Sequence, residues 1–499
     1  MQIGSGPRWR DPVLWLALAA AAPLRFLGLG GPGGPSLWLD EALSARTAAL
    51  SPAGILAAAA SDLHPPGYYL VLHWWTAPFQ PNAAGFPGEW ALRSLSAAAS
   101  IALVPLAFWL GHAWAADVAR RAACARAAAC IAALSPYAIS LAREARMYAL
   151  LSLLLAVQFA LWTRLREGRG GPAAWGGVAL VGAAAMYVHY HALLFTAALC
   201  VASWIGGPGA ARRFGRRFAL AAAASFLAFA PWLPRVAEQA AHGVRDWLPF
   251  SHSPFILART LAAFVRGDGA SADELSLWMV PVVFLLWRGM RRGGGGPGLV
   301  LLLPLGIAYA ASFAVNLFGA RYFGGPAVVA WVLAARGATA IEPRRTSRWA
   351  TAAAGLALLA FGVGIARRSD EAAGRGEAWR ELVQAVEEAS PRGTAVLFPF
   401  AEPLAPFVYY SRPGHLTLVG GIARGADGRA ALAPGFMQAL DDGLDAPELV
   451  WWVPYQEGLY DSGRLGRGAL SDRGLGEAPT PIRIGRLVAI PFHLNGERL

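Results

Sequence analysis

Polarity along this chain alternates between long apolar stretches and short connectors that carry Arg. Apolar runs fall at about 12–30, 91–112, 122–136, 147–163, 174–190, 192–206, 218–234, 274–288, 298–317, 323–338 and 349–366. Each approaches the ~20 residues a helix needs to cross the hydrocarbon core, the shorter ones borrowing from their loops. A bilayer admits such segments because a helix satisfies its own backbone hydrogen bonds. The pattern predicts an α-helical polytopic membrane protein of about eleven spans; counts of twelve or thirteen remain compatible. The apolar stretch Gly67–Gln80 is too short to span and reads as a re-entrant or interfacial helix.

After residue 366 the pattern changes in kind. Glu377–Ser390 reads as an amphipathic helix. Thr394–Phe400, Pro406–Ser411, Leu416–Val419, Leu449–Tyr455 and Arg483–Phe492 read as strands between Gly- and Pro-rich turns. The expected division is a transmembrane part, 1–366, whose outer loop 31–90 carries an acidic motif, and a C-terminal soluble α/β domain, 367–499. There is no convincing internal repeat.

Composition supports this reading. The 499 residues are 56% hydrophobic and only 15% charged, against about 25% charged in soluble domains. A net charge of +12 would point to nucleic acid in a soluble protein. Here most Arg lies in short loops, where positive charge sets topology, and no nucleic-acid partner is expected. All 43 basic residues are Arg, which with the Ala and Gly excess reads as GC-rich coding. Cys124, Cys130 and Cys200 lie in or beside apolar stretches, and no disulfide is expected. The first apolar run is long, contains Arg25 and reads as an uncleaved span, not a signal peptide.

The Arg clusters near 120–126, 164–169, 212–217, 288–292 and 344–348 fall in alternate loops. With the N-terminus cytoplasmic, these are the inner loops, and the first loop and the tail lie outside. The unusual polar residues then collect on the outer face. Asp40 and Glu41 follow the first span directly, with Asp62 and His64 later in the same loop. Carboxylates beside lipid are costly. Such a group can act as general base on a hydroxyl or hold a divalent metal with its neighbour; Asp40 can also simply cap a helix starting at Glu41.

Arg93 begins the next full span at its outer end, placed to snorkel or to bind a lipid phosphate. Arg143-Glu144-Ala145-Arg146-Met147-Tyr148 puts three charges into four residues where topology does not favour Arg. Tyr187-Val188-His189-Tyr190-His191 lies between two spans. The spacing of His189 and His191 does not form a metal pair on one helix face, and the residues alone read rather as an aromatic belt. Gly319-Ala320-Arg321-Tyr322-Phe323 places another outer Arg at a helix start. The long outer loop 235–273 adds Arg235, His242, Arg245, Asp246 and Trp247. No P-loop, HExxH or GxSxG motif occurs, which removes support for ATP hydrolysis, zinc proteolysis and α/β-hydrolase chemistry.

In order and content these motifs resemble the GT-C superfamily of membrane glycosyltransferases, family 39 type. That is the branch of protein O-mannosyltransferases, aminoarabinose transferases and Rgt-like proteins. Trp38-Leu39-Asp40-Glu41 is similar to its Asp-Glu signature and His64-Pro65-Pro66-Gly67-Tyr68-Tyr69 to its His-Pro-Pro element. Ala91-Leu92-Arg93-Ser94-Leu95, Arg143–Leu150, Tyr187–Tyr190 and Ala320–Phe323 follow in the family's order, covering most of residues 10–340. The resemblance implies a GT-C fold and an inverting hexosyl- or pentosyltransferase in a bacterial inner membrane. Its donor would be a polyprenyl-phosphate sugar and its acceptor a lipid, glycan or protein hydroxyl on the outer face. Asp40 would be the base, and Glu41 would assist it or shape the first loop. Arg93, Arg143, Arg146 and Arg321 would hold the donor phosphate; His64, Tyr148, His189, Tyr190 and Tyr322 would line the pocket. Some relatives place a Lys by the loop-one proline pair; this chain has His64 there, and metal dependence stays open. Competing readings are a transporter or flippase of a lipid-linked glycan, and a glycan polymerase. The apolar spans and one-sided polar groups count against transport.

Overall fold

The computed structural model describes residues 9–31, 33–206, 208–241, 253–266, 272–291, 295–314, 316–340, 377–420, 422–424, 430–432, 449–455, 465–472, 474–478 and 480–494. The expected span 349–366 and loop residues His242, Arg245, Asp246 and Trp247 lie outside them. The chain divides into two structural units, each assembled from separate stretches of sequence. The first comprises Met1–Leu27, Pro52–Leu72 and Arg93–Ser369; the second comprises Gly28–Ser51, His73–Leu92 and Asp370–Leu499.

Helices run in chain order as α1 (Pro12–Phe26), α2 (Leu39–Ala48), α3 (Pro52–Ser61), α4 (Gly67–Thr76), α5 (Glu89–Ala113), α6 (Arg121–Leu134), α7 (Pro136–Ala142), α8 (Tyr148–Arg166), α9 (Pro172–Val188) and α10 (Ala192–Ala202). They continue as α11 (Pro208–Phe229), α12 (Leu233–Ala241), α13 (Phe255–Arg266), α14 (Ala272–Arg291), α15 (Gly295–Ala311) and α16 (Gly324–Thr339). Among the described residues, three helical stretches are long and apolar enough to cross a membrane: Glu89–Ala113, Tyr148–Arg166 and Gly209–Ala240. The pair α6–α7, bent by 48°, makes a fourth if counted as one span. Shorter apolar helices of 10–17 residues lie at Pro12–Phe26, Pro52–Ser61, Pro172–Val188, Ala192–Ala202, Phe255–Phe264 and Gly295–Ala311. Loop 235–273 is not the plain outer loop expected: it holds the end of α11–α12 and the separate helix α13, whose Phe264 is fully buried.

The α6–α7 bend has a clear cause. Pro136 lacks the N–H that the Ala132 carbonyl would accept in a continuous helix. Arg25 of α1, wholly buried, supplies donors instead. Its Nη2 donates to Ala132 O (2.8 Å), its Nη1 to Ala133 O (2.7 Å) and its Nε to Ser100 Oγ of α5 (2.8 Å). Ser135 Oγ then caps α7 by accepting from Ala138 N (3.3 Å).

In the second unit the chain continues as α17 (Trp379–Glu388), β1 (Thr394–Phe398), α18 (Leu404–Tyr410), β2 (Leu416–Gly420), β3 (Ile422–Arg424), β4 (Ala430–Leu432), β5 (Val450–Trp452), α19 (Leu465–Ser471), β6 (Leu475–Glu477), β7 (Ile482–Ile484) and β8 (Leu487–Leu494). The sheet order is β2-β1-β5-β8-β6, with β7 paired to β8. β2, β1 and β5 are parallel; β6, β7 and β5 pair antiparallel with β8. Strands β3 and β4 pair antiparallel as a separate sheet.

Two strand expectations are corrected. Pro406–Ser411 forms a helix, because parallel strands β1 and β2 need a crossover. Its Phe407 packs on Phe398 of β1, ring centroids 5.0 Å apart, in a core shared with Trp379, Val383 and Val396. Arg483–Phe492 is not one strand but the β7–β8 hairpin, turned at Gly485 with φ 59°.

Candidate active site

In the first unit three inter-helix turns converge. Tyr148 opens α8, and Arg146 lies in the turn before it, buried, its carbonyl accepting from Ser96 Oγ of α5 (3.2 Å). The turn His189–His191 joins α9 to α10. His191 N donates to His189 Nδ1 (3.2 Å), so the His189 ring accepts there, and His191 Nε2 donates to Leu317 O (2.7 Å). The 3₁₀ turn Ala320–Tyr322 precedes α16 and is tethered by Tyr137 Oη of α7, which donates to Ala320 O (2.9 Å). That turn reaches α8 because α16 starts with glycines. A Cβ on Gly324 would collide with Ser152 Oγ.

The rings meet in one cluster. Tyr322 lies 5.7 Å from Tyr148, 5.1 Å from His189 and 4.8 Å from His191, centroid to centroid. The guanidiniums of Arg146 and Arg321 sit 6.0 and 5.6 Å from the Tyr148 ring, within cation–π range. His64 joins the cluster 6.0 Å from His189. Gly67 permits this, since its backbone approaches Tyr187 closely enough that a Cβ would meet the Tyr187 carbonyl oxygen at 2.6 Å. Behind His64 stands Asp62, its Oδ2 3.4 Å from His64 Nδ1 and accepting from Tyr69 Oη at 3.1 Å. Burial alone would raise the Asp62 pKa. The hydrogen bond and charge of His64, the Leu63 amide and the Arg146 charge outweigh it and hold the carboxyl down at about 2. It is therefore an anion fixed beside a histidine. Two guanidiniums by one aromatic ring, with a histidine alongside, suit an anionic ligand of the phosphate type. Among the described residues no group of three His, Cys, Asp or Glu is arranged to hold a metal.

Three further candidates are placed as follows. Arg93 is buried in α5, one turn before Ser96, which bonds the Arg146 carbonyl. Arg143 turns to α1, its Nη1 donating to Leu27 O (2.7 Å) and Leu24 O (3.4 Å), so it caps that helix C-terminus. Tyr190 donates to Gln239 Oε1 (2.6 Å) and accepts from Trp232 Nε1 (3.0 Å), while Gln239 Nε2 holds Ala59 O (2.9 Å). That network ties α3 to α12.

In the second unit, α2 starts at Leu39, so Asp40 and Glu41 both sit in its first turn and Asp40 is not the N-cap. Glu41 is fully buried, and its Oε2 accepts from Trp38 N (3.3 Å), the closing half of a capping box. Asp40 is half-buried, and its carboxylate gains from the helix N-terminus. Residues that sequence reasoning did not single out surround the approach to α2: Glu89, Glu377, Arg380 and Tyr410. The one sequence signal for them was an acid beside the start of the amphipathic helix.

No protein-family model matches this sequence, and neither does any curated protein. Solved structures do match. ArnT from Cupriavidus metallidurans in the apo state superposes with a TM-score of 0.59 at 14% identity, over 96% of this chain and 97% of that one. The same protein bound to undecaprenyl phosphate gives 0.56 at 14% identity, over 96% of each. The Archaeoglobus fulgidus oligosaccharyltransferase in complex with Zn and sulfate gives 0.53 at 12% identity, over 95% of this chain and 72% of that one. At such identities the likeness is one of backbone. The chain has the GT-C fold that the order of its motifs implied.

Proposed function

We propose that this protein is a glycosyltransferase moving a sugar from a polyprenyl-phosphate donor to a hydroxyl of a lipid, glycan or protein. The observation that carries the reading is the pair of guanidiniums, Arg146 and Arg321, by the ring of Tyr148 in a GT-C fold. It is supported by the similar ArnT structure that holds undecaprenyl phosphate. The reaction breaks the bond from the anomeric carbon to the phosphate oxygen, whose electrons leave with the polyprenyl phosphate. Arg146 and Arg321 stabilise the charge that grows on it. The acceptor oxygen bonds to the opposite face of that carbon, inverting it, and its proton passes to Asp40. Arg93, buried at the start of α5, is a further candidate for the donor phosphate, and His64, Tyr148, His189 and Tyr322 shape the ligand's surroundings. Arg143 and Tyr190 are assigned to structure. The site works on the outer face of a bacterial inner membrane, with the N-terminus cytoplasmic.

The test is Asp40→Asn in reconstituted membranes supplied with polyprenyl-phosphate sugars. Transfer is expected to collapse at normal expression, whereas Arg321→Ala raises the donor KM. Normal turnover by Asp40→Asn refutes the assigned base. Mass spectrometry of envelope glycans with and without the gene separates the competitors: a missing sugar means transferase, shortened chains polymerase, accumulated intact precursor transporter.

A further inference from the structure

The segment Gly30–Leu39, which delivers the chain to Asp40, is Gly- and Pro-rich and has few side chains of its own to hold it. It is held by polar groups of the second unit instead. Gly31 N donates to Glu89 Oε2 (2.8 Å), and Arg380 Nη1 donates to Gly34 O (3.1 Å). Ser36 Oγ donates to Glu381 Oε2 (2.7 Å) and accepts from Arg380 N (3.3 Å). Leu37 N donates to the Tyr410 hydroxyl (2.6 Å), and Leu39 N donates to Glu377 Oε2 (3.1 Å). The last is the decisive contact. Leu39 N is one of the orphan amides at the start of α2, and it belongs to the residue immediately before Asp40.

The holding groups are themselves fixed. Glu377 also accepts from Tyr455 Oη (2.9 Å) and Trp379 Nε1 (3.0 Å). Tyr410 and Arg380 both bond Glu89 Oε1. Tyr410 lies on α18, which packs against α2, and follows Phe407 of the sheet core by one turn. Burial and the Glu89 charge push the Tyr410 hydroxyl pKa up, so it stays a neutral donor. Burial would lower the Arg380 pKa, but the hydrogen bond and charge of Glu89 raise it, so it stays a cation.

We infer that the C-terminal α/β domain sets the geometry of the general base, with Glu377 and Tyr410 as positioning residues that fix the backbone entering α2 and hence Asp40. This rests on the reading of Asp40 as base.

The experiment uses the full-length protein in lipid nanodiscs with a polyprenyl-phosphate sugar. Glu377→Ala and the conservative Tyr410→Phe are compared with wild type and Asp40→Asn. A misplacement near 1 Å costs about a hundredfold, so a kcat loss of about tenfold or more is expected, with the donor KM within about twofold of wild type. Hydrogen exchange at the Leu37 and Leu39 amides is expected to accelerate in the same variants. Full kcat in both variants beside an inactive Asp40→Asn overturns the positioning role and leaves the base assignment standing. Joint loss of yield, donor binding and kcat in both variants also overturns it, as a purely structural effect. Normal turnover by Asp40→Asn overturns the functional reading itself.

Discussion

Replacing Arg25 by Met tests the interior of the first unit. The substitution keeps length and apolar bulk but removes donors to the Ala132 and Ala133 carbonyls and to Ser100 Oγ. Ser100 keeps a partner, since its hydroxyl still donates to Ala138 O (3.1 Å). The two carbonyls do not, because Pro136 and the bend withhold the backbone donors. Each orphaned buried acceptor costs about 1–3 kcal/mol, or about 2–6 kcal/mol for the pair. Removing a buried cation returns part of its desolvation, which leaves an expected net loss of about 2–4 kcal/mol. The effect should reach the site, because the bend orients α7, whose Tyr137 tethers the turn that carries Arg321. The assay is thermal unfolding of detergent-solubilised protein followed by donor titration. The melting temperature should fall by several degrees and the donor KM should rise. Arg25→Lys should be intermediate, since one ammonium cannot serve acceptors on two helices equally. An Arg25→Met protein as stable as wild type would refute the argument that the guanidinium closes the broken helix.

Gly324→Ala would press a methyl into Ser152, whose Cβ it would meet at 2.7 Å; a stability loss of about 1–3 kcal/mol with weakened donor binding is expected from melting curves and titration. Tyr190→Phe should cost about 1 kcal/mol through the Gln239 and Trp232 bonds while leaving the donor KM unchanged. Arg143→Ala should likewise lower melting temperature without touching donor affinity, in contrast to Arg321→Ala; equal KM effects from the two would contradict their separate assignments. Asp62 has a folded-state pKa of about 2 against its ordinary 3.8. Its contribution is therefore complete above about pH 4 and is lost as the pH falls from there towards 2. Unfolding measured at pH 5 and pH 3 should show a smaller acid sensitivity in Asp62→Asn than in wild type.

The series of apolar helices, the amphipathic α17 and strands β1, β2 and β5 were legible because each is written in local periodicity. The GT-C fold, by contrast, was expected from the resemblance that the ordered motifs carry, not from periodicity. What escaped the sequence depends on partners far along the chain. Arg143 and Arg146 stand three residues apart in one turn, yet one faces the carbonyl of Leu27, 116 residues earlier, and the other the ring of Tyr148. No spacing rule separates those two fates. The resemblance implies a pocket role for Tyr190; its bonds to Gln239 and Trp232 join residues 49 and 42 positions away, which no local pattern shows. Pro406–Ser411 carries β-favouring Val and Tyr, and only the parallel pairing of its flanking strands makes it a helix. Of the Asp-Glu pair, Glu41 accepts from Trp38 N at the start of α2, a contact that sequence alone shares out ambiguously between neighbours.

The hydrogen bond from Leu39 to Glu377 joins residues 338 positions apart. At roughly 5–20 residues per second of synthesis, the amide waits roughly 17–70 s for its acceptor to emerge. Through that interval the start of α2 lacks the acceptor that holds its first amide. On the proposed reading, a nascent chain stays inactive until residues 377–410 have emerged, and a product truncated before Glu377 is expected to transfer no sugar.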